Sequence, residues 1–446
     1  MSPAPSDANG RRIYDLDHAH VFNSWAVQGA WDPIVIERAQ GCSLWDSDGK
    51  EYLDFASQQV FTNVGYQHPK LVAAIQTQAA EMATMGVNFA NRARSEAAEA
   101  LTSLFGESHQ KVFFTNGGAD ANENAIRMAR LFTGRRKVLS AYRSYHGNTG
   151  AAIVATGDQR RWPNEYAEGH AHFFGPYLYR SEFGSTTEAE ESARALAHLR
   201  HVIELEGPPT IAAILLESVV GAAGVLVPPP GYLSGVRALC DEFGIVYIAD
   251  EVMSGFGRTG LMFGFEHDLD PENPPDLITV AKGINSGYVP VGGVVISNPI
   301  AEFFNDKFYP GGLTYSGHPL ACASISANLE ILRDESLVAN AAAIGSDVLG
   351  PGLRELATSS DMVGDVRGIG LFWAIELVRD KATKEPLAPY GTSSPEMAEI
   401  TRKLTTAGLL TLQIGNRIHL SPPLPVTPTQ TTTALQALTT ALTPTP

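Results

Sequence analysis

Cysteine is nearly missing from this chain, with three residues in 446: Cys42, Cys240 and Cys322. They are widely spaced, odd in number and form no CxxC pair, which argues against a disulfide framework and against a zinc site. Positive charge is also scarce. Lys and Arg total 32 against 48 Asp and Glu, a net charge of −16, so nucleic acid and anionic membrane surfaces are unsuitable partners. No stretch approaches the roughly 18 consecutive apolar residues of a membrane-spanning helix. The opening residues MSPAPSDANGRR lack the apolar core of a secretory leader, so a cytoplasmic protein is expected. There is no HExxH signature, and His18-Ala19-His20 has no further ligands nearby, so no metal is expected.

What is present is an ordinary globular composition, 44% hydrophobic, long enough for two to three structural units. Residues 1 to about 12 are rich in Pro, Ser, Asp and Gly and are expected to be mobile. From Pro33 to Phe55 apolar and polar residues alternate around the turn signal Asp48-Gly49, which predicts a β-hairpin. Beyond it, helical periodicity (Leu71–Met82, Asp120–Phe132) alternates with short β-rich runs. These are Lys111–Thr115, Lys137–Ser140, Ala151–Ala155, Ile211–Leu216, Ile245–Ala249, Leu277–Ala281 and Gly292–Ser297. Such alternation predicts an α/β protein with a mostly parallel sheet. From about residue 325 a helix (Ser324–Arg333), a strand (Leu371–Val378) and a tail with Leu435, Leu438 and Leu442 at helical spacing predict a second, smaller α+β unit.

Two residues carry the most chemical information. Asp250 ends the run IVYIA and Lys282 follows the run LITVA, thirty-two residues later. A desolvated lysine forms a Schiff base with a carbonyl, and a carboxylate holds a ring nitrogen protonated; together they suit pyridoxal phosphate (PLP). Taken alone, the lysine also fits a surface position and the Asp-Glu pair a helix cap. Upstream, FFTNGGADANENAIRMAR reads as strand, Gly-Gly turn and helix, where bare N–H groups of Gly117, Gly118 and Ala119 can meet a phosphate, or simply begin an ordinary helix. In SYHGNTG, Tyr145 can stack on a flat heterocycle or serve as a core tyrosine. Thr314 and Ser316 in GGLTYSGHPL form another anion-friendly loop, or a solvated one.

In this order, the motifs TNGGADANENAIRMAR, ADEVMSGFGRTG, TVAKG and TYSGHP resemble the class III aminotransferases of PLP fold type I, the group that contains the ω-transaminases. The resemblance runs from about His20 to Pro425. It implies a large domain (63–324) with a mostly parallel seven-stranded sheet between helices, and a small α+β domain built from both chain ends (1–62 and 325–446). It implies that Lys282 binds PLP and shuttles the proton, that Asp250 pairs with the pyridinium nitrogen, and that Val252 and Tyr145 cover the two ring faces. Gly117, Gly118 and Ala119 would hold the phosphate, Glu217 would stand on the hydroxyl side of the ring, and Thr314 would come from the other subunit of a homodimer. Dimer and tetramer remain alternatives.

The substrate side offers fewer signals. In LLTLQIGNRIHLSPPLP, Leu412 stands where this family often has a mobile arginine, and Arg417 is the nearest cation. Arg417 therefore either binds the acceptor carboxylate or faces elsewhere. Trp25, Val60, Phe61 and Phe89 are candidate pocket walls, and Arg92 and Arg94 candidate partners for acidic groups. The expected reaction is transfer of an amino group from an amine or ω-amino acid to pyruvate or a similar keto acid, with a PLP-dependent isomerase, racemase or aminomutase as the alternative.

Overall fold

The computed structural model describes residues 5–165 and 167–443. Its centre is a seven-stranded sheet: β4 (His109–Thr115), β5 (Lys137–Ala141), β6 (His170–Phe173), β7 (Ile211–Glu217), β8 (Val246–Asp250), β9 (Leu277–Val280) and β10 (Gly292–Ser297). The strand order is β4-β10-β9-β8-β7-β5-β6, and β10 alone runs against the others. Every residue of β7, β8, β9 and β10 is buried, as expected for strands covered by helices on both faces.

Before this sheet, β1 (Ile36–Gln40), β2 (Ser43–Asp46) and β3 (Glu51–Asp54) form an antiparallel meander, the β2–β3 turn lying at Asp48-Gly49. After it, β11 (Val363–Ile369), β12 (Phe372–Asp380), β13 (Glu385–Pro386), β15 (Leu412–Ile414) and β16 (Arg417–Leu420) make an antiparallel sheet. The two-residue β14 (Leu409–Leu410) pairs in parallel with β3, which joins the two ends of the chain. Leu435, Leu438 and Leu442 lie on a closing helix, Pro428–Leu442, with Leu438 and Leu442 fully buried.

Two expectations change, and one strand is added. Residues 8–12 begin a helix, Ala8–His20, because the Asp7 carboxylate accepts the Gly10 N–H at 2.8 Å while Asp48 anchors Ser6 and Asp7. Ala151–Ala155 is helical, not a strand: a fully buried apolar run carries no period to separate the two, and the Glu123 carboxylate accepts the Ala151 and Ala152 N–H groups at the helix start. The edge strand β6, HAHF, was too polar to be noticed.

Candidate active site

All strands but β10 end at the same edge of the sheet, so the residues that follow them converge there. Asp250 ends β8, Glu217 ends β7, Lys282 comes two residues after β9, Tyr145 follows β5 and Gly117 follows β4. They line one cavity of ≈ 360 Å³ together with Gly118, Ala119, Asn122, His146, Val252 and Arg160.

Within it Asp250 is held from three directions. Its Oδ2 accepts from His146 Nδ1 and from Asn122 Nδ2, each at 2.7 Å, and its Oδ1 accepts the Val252 N–H at 3.1 Å. Asn122 is fixed in turn by the Thr279 hydroxyl at 2.7 Å. Glu217 accepts the Tyr145 and Gly221 N–H groups at 2.9 and 2.8 Å. Burial raises its carboxyl to about 7, with Asp250 adding to the rise and His146 and both N–H groups opposing it. Lys282 is partly exposed to the cavity. Desolvation brings its ammonium down to about 8, although Asp250 and Glu217 pull the other way. The helix Gly118–Thr133 starts at Gly117 without a side-chain cap, so its first N–H groups are left for a ligand. The space over Gly117 is open, whereas a Cβ on Gly118 would come within 2.9 Å of Val252.

The substrate candidates separate. Trp25 and Phe61 line the cavity, as do Leu412 and Ile414. Val60 does not: it packs with Val219, Val225, Phe372 and Ala374, and its neighbours Gln59 and Phe61 face the cavity instead. The loop bends there, with Val60 at φ +61°. Arg417 is also outside the lining. It sits opposite Glu376 and Ile414 at the start of β16, and its Nε donates to the Ile414 carbonyl at 3.2 Å. Phe89 and Thr314 are exposed and away from this cavity. Arg92 pairs with Glu81 at 2.7 Å, Arg94 donates to the Phe89 carbonyl, and Ser316 Oγ donates to the Phe114 carbonyl at 2.7 Å.

Sequence reasoning missed Asn122, Gln59 and Arg160. Asn122 was within reach, since it lies one helical turn beyond Gly118 on the phosphate-loop helix. Arg160 had no signal, lying in a 3-10 segment, Gln159–Asn164, in the motif QRRWPN. Its guanidinium stacks 3.6 Å from the centre of the Tyr145 ring and is paired with Asp158.

The profile of aminotransferase class-III matches residues 26–442. The chain belongs to this family. A class III aminotransferase uses PLP, and the residues gathered here fit that cofactor: a desolvated lysine, a fixed carboxylate, an aromatic ring and an uncapped helix start in one cavity. The crystal structure of taurine:2-oxoglutarate aminotransferase from Bifidobacterium kashiwanohense, in complex with PLP and glutamate, is 42% identical with a TM-score of 0.93, covering 97% of each chain. An (S)-enantioselective ω-transaminase from Thermomicrobium roseum is 36% identical with a TM-score of 0.89, again covering 97% of each. The putrescine–pyruvate aminotransferase of Pseudomonas aeruginosa is 35% identical over 411 residues, 89% of this aminotransferase and 87% of that one. The isomerase alternative finds no support among these relatives.

Proposed function

We propose that this aminotransferase takes its amino group from an ω-amino acid or related amine that ends in an acidic group, and passes it to pyruvate or a similar keto acid by a ping-pong mechanism. The observation that carries this reading is Arg160, the one guanidinium among the described residues that lines the cavity. Trp25, Phe61, Leu412 and Ile414 give the remaining wall an apolar character, which suits the methylenes of such a donor. The relatives named for taurine and for putrescine support an ω-amine donor. The test is a panel of donors with pyruvate: taurine and β-alanine are expected to outpace 1-phenylethylamine and putrescine, and a clear preference for either of the last two would overturn the assignment of an acidic donor.

When bound, PLP supplies an aldehyde that condenses with amines and a ring that withdraws electrons from the adjacent carbon. Lys282 would be the amine that holds it and the base that removes and returns the substrate proton at Nζ, helped by a lowered pKa. Asp250 would keep the ring nitrogen protonated, while Asn122 and His146 fix its carboxylate. Tyr145 and Val252 would bracket the ring, Glu217 would face its hydroxyl side, and the N–H groups from Gly117 to Ala119 would hold the phosphate. Leu412 and Ile414 exclude water on the substrate side.

We also propose a homodimer in which Thr314 and Phe89 serve the partner's site. Phe22, Phe89 and Phe308 are 87%, 63% and 91% exposed, large apolar side chains of the kind a second copy would cover. The division into a large domain and a small one built from both chain ends belongs to the same reading, as does a cytoplasmic setting; among the described residues no helix is long and apolar enough to cross a membrane.

A further inference from the structure

Arg258, in the motif GFGRTG, is the largest side chain with no solvent exposure, and the chemistry above makes no use of it. Among the described residues its guanidinium donates only to neutral acceptors, from three distant stretches of chain. Nη1 reaches the Leu371 carbonyl at 3.1 Å and the Pro422 carbonyl; Nη2 reaches Ser57 Oγ at 3.2 Å and Asn63 Oδ1 at 2.9 Å. Burial lowers the guanidinium to about 9, with Asp54 opposing from a distance. Taking a cation out of water against neutral acceptors costs stability, and the structural return is local.

The return lies in what Asn63 touches. Its Nδ2 donates to the Phe256 carbonyl at 2.9 Å, and the same amide lies against Gly283, where a Cβ would come within 2.4 Å of it. Gly283 follows Lys282, whose backbone is left-handed at φ +46°. The segment that carries Asn63 is itself bent, with Ser57 at φ +43°, Gln58 at +59° and Val60 at +61°. Such angles in residues other than glycine persist only where their surroundings impose them. The Phe61 ring packs on Gly287 in the same way, 2.4 Å from where a Cβ would stand.

We infer that Arg258 and Asn63 form a positioning pair that clamps the 57–63 segment onto the 282–287 turn. The clamp holds the Lys282 backbone in its left-handed state and presents Gln59 and Phe61 to the cavity. This rests on Lys282 being the amine that holds PLP, which the visible band and turnover of the wild-type holoenzyme test in the same experiment.

The test is Asn63→Ala in the full-length holoenzyme, with Ser360→Ala as the control. Ser360 Oγ donates to the Leu442 carbonyl at 2.6 Å and is equally buried, but lies outside the cavity. Asn63→Ala is expected to lower kcat about tenfold, leave the donor KM within about threefold, and move the pH midpoint of the visible cofactor band. Ser360→Ala is expected to lower Tm alone. Arg258→Lys, which keeps the charge and loses the fork, is expected to follow Asn63→Ala; if it does not fold, Asn63→Ala decides. A Tm loss in Asn63→Ala with kcat and the band midpoint unchanged would reduce the pair to ordinary packing and overturn the inference.

Discussion

His146 Nδ1 lies 2.7 Å from Oδ2 of Asp250, with both side chains sealed from solvent. The Asp250 acceptor places a proton on Nδ1, and Nε2 has no hydrogen-bond partner among the described residues. Because Asn122 shares Oδ2, the carboxylate cannot rotate without breaking two short contacts. A group at the end of a strand, held in this way, is suited to keep one ring nitrogen protonated through every turnover.

Asp250→Asn should therefore lower kcat by about two orders of magnitude or more, the loss of roughly 3 kcal/mol of charge pairing with the ring nitrogen. His146→Ala should cost less, about tenfold, because Asn122 still holds Oδ2. Steady-state kinetics on both variants check this, and equal losses would show that His146 does more than orient Asp250.

Arg160→Ala should raise KM for taurine or β-alanine about 10- to 100-fold, the worth of one charge-assisted hydrogen bond of roughly 1.5–3 kcal/mol. For 1-phenylethylamine, KM should change by less than about threefold. Comparable changes for both donors would mean that Arg160 supports Tyr145 and does not read the substrate.

The rate at which cofactor-free protein takes up PLP should follow the unprotonated fraction of Lys282. Burial lowers that lysine to about 8, so the rate should rise about tenfold per pH unit below 8 and level off above it. Stopped-flow absorbance from pH 6.5 to 9.5 gives the profile. A rate still rising steeply at pH 9.5 would place the lysine at its ordinary value.

If Thr314 serves the partner's site, inactive Lys282→Ala and impaired Thr314→Ala subunits should complement each other. After unfolding and refolding together in equal amounts, half of the dimers are mixed and each has one intact site, giving about a quarter of wild-type activity. Activity no greater than the average of the two separate variants would place Thr314 in its own subunit's site, or in none.

The strand-end side of the cavity was legible in the sequence because its residues end a strand or follow one closely, and Asp, Lys or Gly-Gly at a strand end is a local pattern. Lys282, Asp250, Tyr145 and the Gly117 turn needed only the sheet to bring them together. The substrate side was not local. Val60 and Phe61 are adjacent, yet left-handed angles from Ser57 onward send one into the core and the other to the cavity, and no periodicity announces that bend. Arg417 stands near the expected arginine position, but its strand register puts it opposite Glu376 and Ile414, outside the cavity lining. Arg160 went unnoticed because its role comes from stacking on Tyr145, fifteen residues away along an irregular path. The helix at Gly150–Ala155 was misread for a related reason: its cap comes from Glu123 on another helix.

The central claim is that Lys282 and Asp250 operate PLP in transamination, and the most direct test is the absorbance spectrum of the purified protein carrying PLP. A visible band is expected that bleaches on addition of taurine or β-alanine alone and returns when pyruvate follows, and that is missing from Lys282→Ala. No visible band in the wild-type protein after PLP is added, or a normal band and turnover in Lys282→Ala, would contradict the account.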